Sequence, residues 1–421
     1  MLSKIDKRLL SKINIQAHNK NQNVDIIVRA FDYQKTKNFL NNLYNNNSVV
    51  ELPLISSLGV SVKPQDLIKI AECDSVEFLS KNSKVCSLIY QSKKVINIDY
   101  LYSKINKNYA HSCVVIDTGI YPHIDFVLGR NRIIKFVDLI NNRELPYDDN
   151  GHGTFVSGVL CGNSIVDKYV GIDKNTKIIV IKALDNIGET NTIKILQAMQ
   201  WILDNKDKYN IKVVCMSFGS ELSSGLDPLI YGAEALWNNG IVVVSAGGNS
   251  GPEKSTIMSP GASRKIITVG SLADTKNHTN FKVADFSSRG PVNNTYKPDI
   301  VVPGVDIIST NVFEQNKKFY TTMSGTSVST PMVAGVASLL FKIKPTYTPD
   351  QIKYMLIRSC EEINGDRNSE GFGVLNLANL KLLWKIALCL RQCNFFYSGN
   401  NFINVTFVIK VRYTNSSHSV L

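Results

Sequence analysis

Ser327 has the strongest chemical signature in this chain. It lies in Met-Ser-Gly-Thr-Ser-Val-Ser-Thr-Pro at residues 323–331, and the apolar run that continues to Leu340 predicts a buried helix. A serine at the N-terminal end of such a helix is close to unpaired backbone N–H groups and a partial positive charge, which suit an oxyanion formed beside its hydroxyl. Serine and threonine are also ordinary helix caps, so this segment alone leaves a structural role open.

Two upstream segments supply the partners that a serine nucleophile needs. The apolar run at 114–116 ends in Asp117-Thr-Gly, a pattern that predicts a buried strand with a carboxylate at its end. His152 lies between two glycines, just before a second helical apolar pattern. A serine hydroxyl is a poor nucleophile unless an imidazole takes its proton and an anion orients that imidazole. Alone, Asp117 would be a turn residue and His152 a loop residue, but the set of three predicts nucleophilic catalysis.

The elements that must position these residues alternate along the chain. Apolar, β-branched segments are separated by helical ones at short spacing, which predicts an α/β fold: a doubly wound, mostly parallel sheet with helices on both faces. The predicted strands are 177–183, 213–217, 241–246 and 266–269, and the predicted helices are 192–203 and 228–237. Sites in such sheets lie beyond the carboxyl ends of the strands, where Asp117, Ser217 and Asn249 fall.

The order Asp117, His152, Ser327 resembles that of a known family. Together with the motifs Asp-Thr-Gly, His-Gly-Thr and Gly-Thr-Ser-x-x-Thr-Pro around these residues, it resembles the subtilisin-like serine proteases, or subtilases. Ser-Ala-Gly-Gly-Asn-Ser-Gly-Pro at 245–252 resembles the oxyanion-hole segment of the family. The resemblance implies that Asn249 donates its side-chain amide to the oxyanion, although alone it would be a turn former.

The resemblance covers most of the chain after the first quarter. It runs from about residue 112 to about residue 377 and is closest to bacterial intracellular subtilases, through the segments 117–123 and 146–152. It implies a serine endopeptidase that cleaves polypeptides through an Asp-His-Ser triad and an acyl-enzyme intermediate, with no cofactor required for the chemistry. The alternative, from a different class, is a catalytically silent protein of the same fold that acts as a binding or regulatory module. An intact triad argues against this alternative.

Two further segments resemble the substrate-binding walls of the family. Ser217, Phe218 and Gly219 resemble the strand that pairs with an extended substrate and forms one wall of the S1 pocket. Met258 falls in the segment that closes the bottom of this pocket, where many members carry glycine or alanine. A thioether there is expected to shorten the pocket and to favour small or medium apolar P1 residues, unless Met258 points into the core.

Calcium is a structural ion in several members of the family. Asp125 matches, by spacing, an aspartate that contributes to one such site, and the loop 162–167 has oxygen donors. Calcium takes about 6–8 oxygen ligands, many of them backbone carbonyls that a sequence does not identify. Asp125 is therefore a candidate calcium ligand on spacing alone.

Four segments are predicted along the chain. Residues 1–90 contain short predicted strands and helices whose layout resembles the small α+β prodomain of many subtilases, an inhibitor and folding module; an unrelated N-terminal domain is the alternative. Residues 91–111 form a linker and residues 112–380 the peptidase domain. Residues 381–421 form a C-terminal tail without an assigned role, whose apolar part is too short and too charged to span a bilayer. The resemblance implies that the N-terminal segment binds to the peptidase domain of the same protein.

The formal net charge of +12 comes from the two ends of the chain. Residues 1–110 carry 16 basic against 9 acidic residues and residues 381–421 carry 5 against none, while the remaining 26 of each sign cancel. No basic stripe interleaved with aromatic residues is present in the sequence. We therefore expect neither nucleic acid nor a membrane as a partner.

The first ten residues carry charges throughout and lack the continuous apolar core of a signal peptide. The eight cysteines are scattered, several of them inside apolar segments, as is typical of reduced core residues. These two patterns predict an intracellular, cytoplasmic protease.

Overall fold

The structure is a computed structural model in which the chain divides into two compact units, Met1–Cys86 and Ser87–Leu421. It describes residues 2–5, 9, 23–44, 49–53, 56–81, 95–106, 108–166, 170–222, 227–274, 281–313 and 318–381. The predicted C-terminal tail beyond residue 381 lies outside the described residues, and so does the first part of the predicted linker, 91–94.

In the residues that the structure describes, the first unit is a small antiparallel sheet with two helices. Its elements are β1 (Val24–Ala30), α1 (Tyr33–Leu43), β2 (Val49–Leu52), β3 (Ser57–Val62), α2 (Asp66–Ala71) and β4 (Val76–Lys81), preceded by a 3-10 turn at Leu2–Lys4. The strand order is β2-β3-β1-β4, and all neighbouring strands are antiparallel. This arrangement agrees with the α+β layout that the sequence predicts for residues 1–90.

The residue pattern of β1 explains which face of this sheet is covered. Its buried positions are Val24, Ile26, Val28 and Ala30, which alternate with more exposed ones, as in a strand with one face against a core. Leu40 of α1 and Ile70 of α2 belong to the same buried cluster. Helix α1 begins where the carboxylate of Asp32 accepts a hydrogen bond from the backbone N–H of Lys35 at 3.1 Å, an N-cap.

The second unit contains the elements predicted to hold the site. Its strands are β5 (Ser112–Asp117), β6 (Ile133–Asp138), β7 (Lys177–Lys182), β8 (Ile211–Met216), β9 (Val242–Ala246), β10 (Ile267–Asp274), β11 (Lys282–Val283), β12 (Ile300–Pro303), β13 (Ile307–Thr310), β14 (Tyr320–Met323), β15 (Cys360–Glu361) and β16 (Val374–Leu375). Its helices are α3 (Asp99–Tyr102), α4 (Ile124–Val127), α5 (His152–Cys161), α6 (Thr192–Asn205), α7 (Pro228–Asn238), α8 (Thr326–Ile343), α9 (Pro349–Arg358) and α10 (Arg367–Glu370), followed by a 3-10 turn at Leu377–Asn379.

The central sheet has the strand order β15-β16-β12-β10-β9-β8-β5-β7-β6, with β11 beside β10. All pairs from β16 to β6 along this path are parallel. Every residue of β5 and of β9 is buried, as expected for parallel strands covered on both faces. The predicted doubly wound, mostly parallel fold is confirmed. Because β5, β8 and β9 are neighbours, their carboxyl ends meet at one place on the sheet edge.

Helix α8 is the core helix of this unit. Among the described residues it alone has the length and hydropathy that would allow a helix to cross a bilayer, but 89% of its apolar window is buried inside the protein. It packs against β8, β9, β10 and α5. Its apolar character therefore reflects contacts on all sides within the fold.

The described part of the predicted linker packs into the second unit. Ile96, Ile98 and Leu101 are buried in its core, and the backbone N–H of Leu377 donates to the carbonyl oxygen of Ile96 at 2.9 Å. This segment is thus anchored to the C-terminal part of the same unit. The proposed boundaries at residues 90 and 111 stay predictions.

Candidate active site

Asp117 is the last residue of β5, and its carboxylate is almost completely buried. Strands β7 and β8 flank β5, which is the third strand from the β6 end of the sheet, so the carboxylate emerges at the carboxyl edge between two neighbouring strands. The backbone N–H of Thr118 donates to Asp117 Oδ1 at 2.8 Å. Asp117 Oδ2 has no hydrogen-bond partner in the part of the chain that the structure describes.

His152 is the first residue of α5 and lies next to Asp117. Gly151 precedes it with a φ of 105°, a left-handed conformation that glycine adopts without steric cost. His152 Nδ1 lies 2.7 Å from Asp117 Oδ1, and the histidine side chain is 27% exposed. Because Nδ1–H donates to the carboxylate, Nε2 keeps a free lone pair, which is the tautomer that a general base requires.

The carboxylates near His152 control its pKa. Burial lowers the pKa of the imidazole, but the charge of Asp117, the hydrogen bond to Asp117 and the charge of Asp148 together raise it more, so that the pKa of His152 lies above its usual value of 6.5. The pair of Asp117 and His152 therefore stabilises the imidazolium form. This is the form that a base generates when it takes a proton.

Ser327 is the second residue of α8 and is half-buried. Gly325 precedes the helix with a φ of 154°. The position that a Cβ atom would take on Gly325 lies 3.1 Å from Ser327 Oγ and 3.3 Å from Asn249 Nδ2. The hydroxyl and the amide thus face the same small space, which stays open because residue 325 has no side chain.

Asn249 follows β9 and is held by the first residue of α8. Its Oδ1 accepts hydrogen bonds from the backbone N–H and from the Oγ1 of Thr326, both at 2.9 Å. These two bonds orient the amide, so that Nδ2 is the atom directed towards the space beside Ser327. An amide donor and a serine hydroxyl arranged around one gap can bind an oxygen that becomes negatively charged.

The structure brings the four predicted residues together as two pairs. Asp117 and His152 share a hydrogen bond, and Ser327 and Asn249 face one space. Helices α5 and α8, which carry His152 and Ser327, pack against each other. No direct hydrogen bond links His152 to Ser327 among the described residues. Catalytic hydrogen bonds are often long in ligand-free enzymes and tighten when the substrate binds.

Ser217, Phe218 and Gly219 follow β8 at the same edge of the sheet. Ser217 is buried and Phe218 is half-buried against the core. Just beyond them, Ser220 and Ser259 exchange two backbone hydrogen bonds of 2.9 Å, which brings the segment that contains Met258 alongside. The predicted wall and the predicted floor of the S1 pocket are therefore neighbours.

Met258 lies between two glycines and not in the core. The position that a Cβ atom would take on Gly219 is 2.8 Å from Met258 Cβ and 3.2 Å from its Sδ. The corresponding position on Gly248 is 2.7 Å from Met258 Cγ and 2.9 Å from its Sδ. Met258 is half-buried, and its side chain fills the space between these two segments. Glycine at both positions leaves room for the thioether.

Asp125 does not fit a calcium ligand. Its fully buried carboxylate accepts hydrogen bonds from the backbone N–H groups of Ser164 and Ile165, both at 2.9 Å, and from the Tyr320 hydroxyl at 3.0 Å. These groups direct hydrogens at both oxygens, where a cation would require further oxygen ligands. The described residues contain no group of three or more His, Cys, Asp or Glu side chains that could hold a metal ion, and residue 167 of the loop lies outside them. Asp125 instead anchors this loop.

Lys182 is a site neighbour that the sequence interpretation missed. It is fully buried at the end of β7, and its Nζ donates to the carbonyl oxygens of Thr118 at 2.6 Å and Leu184 at 3.0 Å and to Asp149 Oδ1 at 2.7 Å. A buried lysine needs such partners. It links the segment that follows Asp117 to the loop that leads to His152. The available signal was a lysine at the end of an otherwise apolar strand.

Asp148 is a second neighbour that the sequence interpretation did not single out. It is buried in the loop before α5, and its carboxylate accepts hydrogen bonds from several groups around His152. In the sequence it is one of several polar residues in Asp-Asp-Asn-Gly-His, so nothing distinguishes it from a solvated loop residue.

Comparisons with known proteins agree with this geometry. The family model for the subtilase family matches residues 112–374. Serine protease AprX of Bacillus subtilis strain 168 is 40% identical over 357 residues, which cover 77% of this chain and 79% of that protein. The solved structure of S41 psychrophilic protease superposes with a TM-score of 0.58 at 26% identity and covers 68% of this chain and 97% of its own. A cold adapted subtilisin-like serine proteinase gives a TM-score of 0.53 at 28% identity, with 64% and 89% covered. The chain therefore belongs to the subtilase family and is a subtilisin-like serine protease.

Proposed function

We propose that this protein hydrolyses internal peptide bonds of polypeptides with Asp117, His152 and Ser327 as its catalytic triad. The observation that carries the proposal is the 2.7 Å hydrogen bond between His152 Nδ1 and Asp117 Oδ1. It leaves Nε2 as the basic atom, and Ser327 lies at the N-terminus of α8, which packs on the helix that begins with His152. The triad works without a cofactor.

The reaction has two half-reactions. In the first, His152 Nε2 takes the proton of Ser327 Oγ while Oγ attacks the carbonyl carbon of the substrate. The tetrahedral intermediate then breaks its C–N bond, His152 gives the proton to the leaving amine, and an ester remains on Ser327. In the second, His152 takes a proton from water, the water oxygen attacks the ester, and the proton returns to Ser327 as the carboxylic acid product leaves. Asp117 keeps the imidazole oriented and stabilises its charged form throughout.

The oxyanion of each tetrahedral intermediate is bound by Asn249 Nδ2 and by the backbone N–H of Ser327. The N–H groups in the first turn of a helix have no partner within the helix, and the helix dipole adds positive potential there. The Thr326 hydrogen bonds hold the Asn249 amide in place before the reaction. Such prearranged donors stabilise charge that develops in the transition state.

The substrate is proposed to bind as an added strand along residues 217–219, with its P1 side chain directed towards Met258. The thioether lies between Gly219 and Gly248, which supports a shortened S1 pocket. We expect small or medium apolar P1 residues to be preferred over Phe and Tyr.

The N-terminal unit is proposed to be a prodomain that assists folding and inhibits the enzyme until it is removed. The support is its compact α+β architecture and its place before the protease domain. A cytoplasmic site of action also stays a proposal, which fractionation of the producing cells would test.

The decisive test is chemical labelling of Ser327. A fluorophosphonate probe should modify the wild-type protein and not Ser327→Ala, and only the wild type should cleave a casein substrate. Circular dichroism of both proteins should be the same, because the hydroxyl is not part of the core. An unlabelled, inactive but folded wild type would instead support a catalytically silent binding module.

A further inference from the structure

The carboxylate of Asp148 is surrounded by donors from the residues that flank the proposed triad. Its Oδ1 accepts hydrogen bonds from the backbone N–H of Gly151 at 2.8 Å and of Asn150 at 3.2 Å. Its Oδ2 accepts from both the backbone N–H and the Oγ1 of Thr154, at 2.8 and 2.6 Å. Residues on both sides of His152 are therefore tied to one buried carboxylate.

Thr118 connects this carboxylate to the strand that ends in Asp117. The Thr118 hydroxyl donates to Asp148 Oδ1 at 2.9 Å and accepts a hydrogen bond from the backbone N–H of Gly153, also at 2.9 Å. Thr118 directly follows Asp117, and Gly153 directly follows His152. The chain segments that carry the two members of the pair are thus joined through Asp148 and Thr118.

We infer that Asp148 is a positioning residue, which holds His152 at hydrogen-bonding distance from Asp117 and adds a second negative charge near the imidazole. This inference rests on the proposed function, because the position of His152 matters most if it is the general base. Asp148 acts through His152 and does not touch the substrate.

The charged groups near His152 give the inference a measurable consequence, namely the pKa of His152. Asp117, at the end of β5, is hydrogen-bonded to the ring, and the charge of Asp148 in the preceding loop also acts on it, while Lys182 on β7 is paired with Asp149 at 2.7 Å. Burial lowers the pKa of His152, whereas the charges of Asp117 and Asp148 raise it. Removal of the Asp148 charge should therefore lower the pKa of His152. Because the base must be neutral, the acidic limb of kcat/KM should move to lower pH.

Glu370 offers a matched control. It is a fully buried carboxylate that accepts hydrogen bonds from the backbone N–H groups of Ile363, Asn364 and Gly365. It holds a loop in the same way as Asp148 does, but the loop carries no proposed site residue. Glu370→Gln should therefore report the cost of an altered buried carboxylate without an effect on His152.

The first experiment compares the pH profiles of wild type, Asp148→Asn and Glu370→Gln with a peptide substrate, each produced as the whole chain and assayed after mass spectrometry has shown that all three are in the same processing state. We expect Asp148→Asn to lower kcat by about 10- to 100-fold, the scale of a misplaced catalytic group, and to move the acidic limb to lower pH. Glu370→Gln should lower the melting temperature and leave the limb in place. An Asp148→Asn protein with the wild-type kcat and limb, or a Glu370→Gln protein with the same shifted limb, would overturn the inference.

The second experiment needs no catalysis and no change at Asp148. NMR titration of the His152 ring in the Ser327→Ala background should give a lower pKa after Thr118→Val, because the link from Asp148 to Gly153 is lost. Thr118→Ser retains the hydroxyl and should restore the pKa. An equal pKa in all three proteins would overturn the inference, even if Asp148→Asn does not fold. A protein without peptidase activity but with these shifts would refute the proposed function and keep Asp148 as the positioning residue.

Discussion

His152 is the residue whose protonation links activity and stability. Its pKa lies above 6.5 in the folded protein, because burial, which lowers the pKa, is outweighed by the charge of Asp117, the hydrogen bond to Asp117 and the charge of Asp148 together. The stabilisation from this raised pKa is complete below about 6.5, the value of an unperturbed histidine, and is lost as the pH rises through the folded pKa. Activity has the opposite dependence, since it needs the neutral ring. We therefore expect activity to rise over the range in which this contribution to stability falls.

Asn249 provides the first prediction at the scale of the residue. Asn249→Ala should lower kcat by about 10²–10³-fold with little change in KM, because its Nδ2 acts on charge that develops in the transition state. Steady-state kinetics with one peptide substrate measures both constants. Asn239→Ala, at the end of α7, is the control and should leave both unchanged. An unchanged kcat in Asn249→Ala would mean that other donors bind the oxyanion.

Met258 provides the second prediction at this scale. Met258→Gly should raise kcat/KM for substrates with Phe or Tyr at P1 by about 10-fold or more, because the space between Gly219 and Gly248 becomes free. Met258→Leu keeps a side chain of similar volume and should change little. Peptides that differ only at P1 measure the effect. A wild type that prefers Phe, with no gain in Met258→Gly, would show that the thioether does not limit the pocket.

At the scale of the element, the site depends on where strands end and helices begin. Asp117 is the last residue of β5, His152 is the first residue of α5 and follows a left-handed glycine, and Ser327 lies in the first turn of α8. The buried Lys182, at the end of β7, donates hydrogen bonds both to the segment that follows Asp117 and to the loop that precedes His152. Element ends concentrate unpaired backbone groups, so chemistry placed there has donors available without breaking regular structure.

The loop anchored by Asp125 gives the prediction at this scale. Asp125→Asn should reduce the free energy of unfolding by about 1–3 kcal/mol, because an amide nitrogen cannot accept the hydrogen bonds that a carboxylate oxygen accepts. The change in stability should be the same with calcium chloride and with a chelator. Thermal unfolding in the Ser327→Ala background measures it without self-digestion. A stabilisation by calcium that is present with Asp125 and absent in Asp125→Asn would restore the calcium hypothesis.

At the scale of the whole molecule, two units divide the chain at Cys86/Ser87. Each has its own buried cluster, one from residues 5–79 and a larger one from residues 96–380. The segment at 95–106 packs within the second unit, so a cut before it would leave that anchor with the protease. This organisation is compatible with the proposed removal of a prodomain.

Maturation gives the prediction at this scale. The first 90 or so residues should be removed by the proposed active site, so that Ser327→Ala stays full length when it is produced alone, while the wild type loses Met1. Mass spectrometry and N-terminal sequencing measure the outcome. Addition of active wild type to purified Ser327→Ala tests whether the same cut occurs between molecules. Cleavage of the mutant alone in a protease-deficient host, or an active wild type that keeps Met1, would contradict self-processing.

The sequence by itself determined the fold class and the positions of the proposed catalytic residues. The predicted strand at 177–183 is observed as Lys177–Lys182, and the predicted helix at 192–203 is observed as Thr192–Asn205. Asp117, His152 and Ser327 could be located because each lies where an apolar segment meets glycine, a pattern contained in a few adjacent residues. Asn249 was located through the resemblance of segment 245–252 to the oxyanion-hole segment of the family. The side chains of strands and helices repeat over few residues, so a buried face produces an apolar pattern that can be recognised within a short segment.

Only the tertiary structure decided the roles of residues whose partners are distant along the chain. Asp125 accepts hydrogen bonds from residues 164, 165 and 320, and Lys182 donates hydrogen bonds to residues 118 and 149. The sequence around Asp125 and Lys182 does not indicate these distant partners. Whether Met258 points into the core or into a pocket also depends on the glycines opposite it. These outcomes follow from side-chain packing between separate segments, where a buried polar atom must find whichever donor or acceptor the fold brings near.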